Sequence, residues 1–302
     1  KPVIPRGLQR PELLDGSGNH TPQEDGIHLI GIQDLRGLGG DHFVYRIEIA
    51  EARDTLHNHT VSWANDRFEI NRTAGFIIPK GNKWSVNIYI AEEQGNTYKG
   101  ALRLIPVGLP KGVRMIAPDY TPGMNGVPCL FAADSDAAPA AQLFHIRLKR
   151  LDDDGFVDTS SQAYIPFINH SGGRSWHHAH LMSYAIGIVE SSPFTIDVTQ
   201  PTIPISQAGE LRLKVRINRN DGFIGAVEMQ PDWYPPGVSA GELLVIPEGQ
   251  TEADFVLSAS PSAKPGTYRM TINGHTKEGD WESGVGVRRV ASSFFDLVVT
   301  SP

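Results

Sequence analysis

Four histidines, His170, His177, His178 and His180, fall within HSGGRSWHHAHLMS. Imidazole is the commonest protein metal ligand, and three of them in four residues raise the odds of a metal site. On a strand, His178 and His180 would share one face and His177 the other. No cysteine lies nearby, and the nearest carboxylates in sequence are Asp158 and Glu190. The residues read first as a polar loop or edge strand that tolerates His, ahead of weak metal binding or contact with a ligand or partner. A second candidate is Asp152-Asp153-Asp154-Gly155. A hard cation needs oxygen ligands at alternating positions and a Gly for the turn, which Asp152, Asp154 and Asp158 can be imagined to supply. The twelfth-position Glu of a helix-flanked calcium loop is missing, so a solvated hairpin is the expectation. Asn220-Asp221-Gly222 reads the same way.

Trp233 and Tyr234 precede Pro235-Pro236, and Trp281 sits in the polar stretch HTKEGDWESG. Exposed aromatics of this kind make platforms for sugars or proteins. Trp233 is expected in core or interdomain packing, whereas Trp281 stands evenly between contact and packing. Nucleophilic catalysis finds no support, because there is no Gly-x-Ser-x-Gly elbow, and no phosphate loop ends in Gly-Lys-Ser/Thr. The single cysteine, Cys129, lies in the apolar run VPCLFAA and reads as a small buried hydrophobe. It rules out an internal disulfide framework and a multi-Cys metal site. No residue is therefore assigned a catalytic, cofactor-binding or metal-ligating role. Asn19, Asn58, Asn71 and Asn169 fit Asn-x-Ser/Thr, which matters only in a eukaryotic secretory route.

The elements that must hold these residues are strands. The 302 residues contain 31 Gly and 22 Pro, above the usual shares of roughly 7% and 5%. Spread among short Val/Ile/Leu-rich runs, that excess marks turn-dense all-β domains. A formal net charge of −7 argues against nucleic acid as a partner. No apolar run is long enough to cross a membrane as a helix.

One stretch is written twice. Residues 98–113 read YKGALRLIPVGLPKGV and residues 223–238 read FIGAVEMQPDWYPPGV. Gly100 and Gly225 lie 125 positions apart, as do Gly112 and Gly237. Both copies sit between alternating strands, Trp84–Ile90 before the first and Leu211–Ile217 before the second. The latter puts Leu, Leu, Val and Ile on one face and Arg, Lys and Arg on the other, so one face is buried and one wet. Seven or so short strands per copy, with turns every 8–12 residues, argue for Ig-like β-sandwiches. The Cys…Trp…Cys pattern of antibody domains is absent. Upstream, Ile27–Ile32 and Phe43–Ile49 alternate around a Gly-rich link and read as a hairpin. A lone hairpin is marginal in water, and the chain begins at Lys1, so it is expected to be a piece of a longer protein.

Asp25-Gly26, Asp34, the Gly-rich turn and Tyr45-Arg46-Ile47 resemble the end of a bacterial pre-peptidase C-terminal (PPC) domain. GLPKGV, IPEGQTEADFVL and AKPGTYRMTI resemble the tandem Ig-like repeats of large secreted bacterial proteins, planctomycete-type ones especially. The resemblance implies residues 1–53 as a PPC-like remnant, 54–198 as a first Ig-like sandwich with an insertion at 152–185, and 199–302 as a second. It implies a non-catalytic structural, spacer or adhesion module, outside the cell or in its envelope, with protein partners or neighbouring domains of its parent chain. The other reading is a carbohydrate-binding accessory module of a secreted hydrolase or protease. A metal-dependent enzyme built on the His cluster stands last.

Overall fold

The computed structural model describes residues 23–29, 31, 37–44, 55–60, 75–92, 98–124, 126–170, 174–220, 222–231, 233–241, 244–276 and 288–302. These residues form strands and connections without a helix. In the first unit the strands are β1 Thr55–Thr60, β2 Gly75–Pro79, β3 Lys83–Glu92, β4 Leu102–Val107, β5 Val113–Ile116, β6 Val127–Ala133, β7 Ala140–Arg150, β8 Phe156–His170, β9 Arg174–Leu181 and β10 Tyr184–Val189. One sheet runs β1-β3-β6-β5; the other joins β2 to β10, β10 to β7 and β7 to β4. With β2 parallel to β10, this is the A-B-E-D and A′-G-F-C strand order of an Ig-like sandwich.

The second unit repeats it. Its strands are β11 Phe194–Val198, β12 Ile205–Ser206, β13 Glu210–Arg219, β14 Val227–Gln230, β15 Val238–Ala240, β16 Leu244–Ile246, β17 Glu252–Ala259, β18 Gly266–Met270, β19 Asn273–Thr276, β20 Arg289–Ala291 and β21 Phe295–Thr300. One sheet is β11-β13-β17-β15. In the other, β12 lies parallel to β21, β21 pairs β18, and β19 pairs both β14 and β20. Each unit has its own apolar core. Phe76, Phe131, Phe144 and Tyr184 pack around Ile78, Ile88 and Leu148 in the first. Phe194, Leu213, Val215, Phe255, Leu257 and Leu297 do so in the second.

The repeated stretch shows why its spacing is kept. Gly112 and Gly237 adopt φ of 83° and 82°, the left-handed region that favours Gly. In each copy the residue after that Gly donates to the Pro two positions before it, Val113 to Pro110 and Val238 to Pro235. The glycine carbonyls then accept from Asp134 and Ser260, each at 2.8 Å. A Cβ on Gly237 would lie 2.6 Å from Ala263 Cα, so the close approach excludes any side chain. β13 has the alternation expected of it, with Leu211, Leu213, Val215 and Ile217 buried and Arg212, Lys214 and Arg216 exposed. Cys129 is 1% exposed in the first core, and burial pushes its thiol far above the usual range.

The units differ in segment 152–185. There β8 and β9 form an antiparallel hairpin with a bulge near Pro166–Asn169. The first two residues of β8, Phe156 and Val157, pair with β7, after which β8 runs parallel to β1 from Asp158 to Ala163. The hairpin thus links the two faces into one 10-stranded sheet. At this seam sits a buried polar cluster. Asn58 Nδ2 donates to Ile146 O at 3.0 Å, while Asn58 Oδ1 accepts from Ser161 Oγ at 3.0 Å and Tyr184 Oη at 2.8 Å. Asn58, one of the four Asn-x-Ser/Thr sites, is 0% exposed and closed to glycosylation in the folded chain.

The upstream hairpin is not formed where it can be described. Residues 27–29 and 43–44 are in no strand, and Ile27, Leu29 and Val44 are more than nine-tenths exposed. Among the described residues they have no sheet to pair with, which a hairpin requires to be stable. Gly31 is likewise in no strand, and the remaining positions of both expected strands lie outside the described residues.

Candidate functional site: a cleft between the two sandwiches

β3 carries Trp84, Val86 and Ile90 toward the first core and Ser85 and Asn87 on the opposite face. Neither Ser85 nor Asn87 meets solvent, at 3% and 7% exposure. The second unit covers them. Ser85 Oγ donates to Asn273 Oδ1 at 2.9 Å. Arg289 donates to Ser85 O at 3.4 Å and lays its guanidinium 4.6 Å from the Trp84 ring centre. Asn82 Nδ2 donates to Phe194 O at 3.2 Å beside the link itself. These contacts fix one sandwich against the other over a buried polar interface.

Beside this interface the surface opens into a cleft of about 700 Å³. The first unit contributes Arg103 on β4 and Asp119 in the loop after β5, joined by two hydrogen bonds of 2.8 and 2.9 Å. The second contributes Arg269 on β18, paired across the ladder with Asp296 on β21 at 3.2 Å. The bond from Arg103 holds the Asp119 carboxyl below the usual carboxylate range, against a smaller upward push from burial. Trp233 and Tyr268 form the aromatic wall, their ring centres 6.0 Å apart and inclined by 53°. Both also pack against the second core. Trp233 therefore packs on the core of its own unit and also borders the cleft.

Trp233, Pro128 and Arg269 also border a separate small hollow of about 10 Å³ lined by Ser85, Asn87 and Thr271. Neither Asn87 Nδ2 nor Asn87 Oδ1 has a hydrogen-bond partner among the described residues. Gly126 makes room behind that amide, since a Cβ there would lie 2.6 Å from Asn87 Nδ2.

The other candidates fare differently. The backbone of β9 places His177 opposite Ile168, His178 opposite Pro166 and His180 opposite Tyr164, with His170 opposite Arg174. The side chains of these four histidines lie outside the described residues, as does Trp281. The Asp loop is a hairpin turn whose carboxylates are separately engaged. Asp152 Oδ1 accepts from Tyr98 Oη at 3.1 Å, Asp153 Oδ1 from Gly155 N at 2.6 Å, and Asp154 Oδ1 from Lys149 at 2.9 Å. Among the described residues no three His, Cys, Asp or Glu side chains group as a metal site.

Two buried histidines had no signal in the sequence. His57 and His59, on the face of β1 opposite Asn58, are 3% and 5% exposed with ring centres 5.4 Å apart. Burial, with a smaller contribution from His57, lowers the His59 pKa to about 4. In the second unit His275 is lowered to about 3 by burial and then by Arg289, with a bond to the Glu228 backbone acting the other way.

No protein-family model matches the chain, and no curated protein matches it. Solved structures do. The D0-D1 domain of intimin aligns over 74% of this chain and 95% of its own at 9% identity, with a TM-score of 0.25. Fibronectin(III)-like modules of CbhA from Clostridium thermocellum align over 76% of this chain and 90% of theirs at 12% identity and a TM-score of 0.22. A 282-residue C-terminal intimin fragment, solved with the intimin-binding domain of the translocated intimin receptor, aligns over 74% of this chain and 60% of its own, at 10% identity and a TM-score of 0.20. The Ig-like assignment of this chain rests on its own strand order. No helix among the described residues is long and apolar enough to cross a membrane.

Proposed function

We propose that this chain is a non-catalytic spacer and adhesion segment of an exported, cell-envelope-associated bacterial protein, in which a PPC-like domain precedes tandem Ig-like modules. The observation that carries the reading is the buried contact between the sandwiches. A module that spaces or presents something must transmit position, and Ser85–Asn273, Arg289 on Trp84 and Asn82–Phe194 hold the pair in a fixed relation. Protein partners or neighbouring domains would dock on the sheet edges, whose unpaired backbone groups are natural sites for strand addition. The acidic balance, −7, weighs against nucleic acid.

The test is exposure on the living cell. Intact cells that make the natural protein are treated with a protease too large to cross the envelope, and antibody to residues 194–302 follows the loss. Degradation without lysis is expected. Protection in intact cells, with recovery in the cytosolic fraction, removes the reading.

A further inference from the structure

We propose that the outer edge of β9 is a self-association site, on which β9 of a second copy of this chain adds antiparallel across a two-fold axis. The inference rests on the adhesive reading and deepens it, naming one edge and one partner for strand addition. β8 is 15 residues long. Phe156 and Val157 pair with β7 and Asp158–Ala163 with β1, and from Tyr164 to His170 its partner among the described residues is β9 alone. β9 in turn pairs with β8 and with no other strand among the described residues. The ribbon thus runs on past the end of β1 by about 23 Å, at 3.3 Å per residue. Two strands alone are marginal in water, and a third supports them.

Natural sheets blunt their edges with charges, proline, bulges or very short strands. The other edges here follow that rule. β4, β5, β11, β18 and β20 carry Arg103, Arg114, Asp197, Arg269 and Arg289; β12, β15 and β16 have two or three residues, and β2 ends on Pro79. The free edge of β8 is blunted by Pro166, which has no N–H to donate, and by the irregular register from Pro166 to Asn169. β9 is the exception. Arg174 is the one Asp, Glu, Lys or Arg between Asp158 and Glu190, and it stands at the hairpin end of the strand. From His177 to Leu181 every residue is paired with β8, which holds the strand extended before any partner arrives and lowers the ordering cost of binding.

The charge pattern favours a second copy as the occupant. An antiparallel pairing that uses all of His177–Leu181 has one register: His177 opposite Leu181 of the other copy, His178 opposite His180, and Ala179 opposite Ala179. An uncharged run then meets an uncharged run. The two Arg174 residues fall at opposite ends of the ladder, about 30 Å apart and beyond the screening length. Because the pairing is isologous, one contact closes both free edges.

Sedimentation of the intact chain from about 1 to 200 μM tests this, and a dimer is expected with Kd on the order of 10 μM. Hydrogen exchange of the His177–Leu181 amides is expected to slow as the dimer fills. His178→Lys with His180→Lys sets lysine opposite lysine across the axis, and His178→Glu with His180→Glu does the same with carboxylates. Each double variant is expected to weaken the dimer at least about tenfold, and an equal mixture of the two to restore it, with melting temperatures recorded for both. A monomer throughout the range overturns the proposal. So do exchange rates at His177–Leu181 that ignore concentration, a dimer that either double variant leaves unchanged, or a mixture that stays monomeric. Each of these outcomes leaves the protease result on intact cells standing, so the dimer and the adhesive reading fail separately.

Discussion

Asn58→Ala is expected to cost the first sandwich about 4 kcal/mol while leaving the second untouched. The side chain is 0% exposed and is bonded at both ends, to Ile146 O through Nδ2 and to Ser161 and Tyr184 through Oδ1. Truncation removes three hydrogen bonds, to one carbonyl and two hydroxyls, from a dry seam, and each such loss costs about 1–3 kcal/mol. The loss is less than the simple sum because Ser161 Oγ can still donate to Ile146 O, 3.4 Å away. Chemical denaturation followed at two wavelengths gives one transition per unit, with only the first moved to lower denaturant. A shift worth less than about 1 kcal/mol would show that the seam is not held by this cluster.

Acid is expected to destabilise both sandwiches, well before their carboxylates are protonated. In the folded chain His59 and His275 stay neutral down to about 4 and about 3, whereas unfolded His takes up a proton near 6.5. Both folded values are depressed, so below pH 6.5 the unfolded chain binds protons that the folded chain refuses. Stability then falls as pH drops from 6.5 toward 4, by up to about 1.4 kcal/mol per pH unit for each histidine. At pH 5 the two together cost on the order of 4 kcal/mol relative to neutrality. Below that range Asp119, Asp154 and Glu252, whose paired carboxyls are held below their usual values, add to the loss. Urea midpoints at pH 7, 6 and 5 check the slope, and His275→Gln should flatten it for the second unit alone. Equal midpoints at pH 7 and 5 would refute the assignment of neutral buried imidazoles.

The sandwich is legible in the sequence because its fixed positions are local. Gly112 and Gly237 are turn residues with a positive φ, and the β13 alternation is a property of ten consecutive residues. The cleft is not legible, because Arg103, Asp119, Arg269 and Asp296 meet only through pairing and docking. One contrast between the strands does bear on it. The outward face of β13 carries Arg, Lys and Arg, whereas that of β3 carries Ser85 and Asn87, short and uncharged. A wet face favours long charged side chains; a covered face favours ones that another surface can bond. β1 misleads for the opposite reason. TLHNHT is mostly polar in composition, yet strands on both sides bury His57, Asn58 and His59. The Asp loop was readable as a hairpin because Gly155 and the neighbouring Lys149 and Arg150 are close in sequence.

Under tension the two sandwiches are unequal. A pull on the ends of either unit shears its parallel strand pair, loading the hydrogen bonds together instead of unzipping them singly. The first unit has five parallel positions between β2 and β10 and six more between β1 and β8, whereas the second has two between β12 and β21. In single-molecule pulling the second sandwich should therefore yield first, as the more extensible link. The hairpin within 152–185 then works as a mechanical clamp, and its placement would let the chain lengthen under load while the first module stays intact.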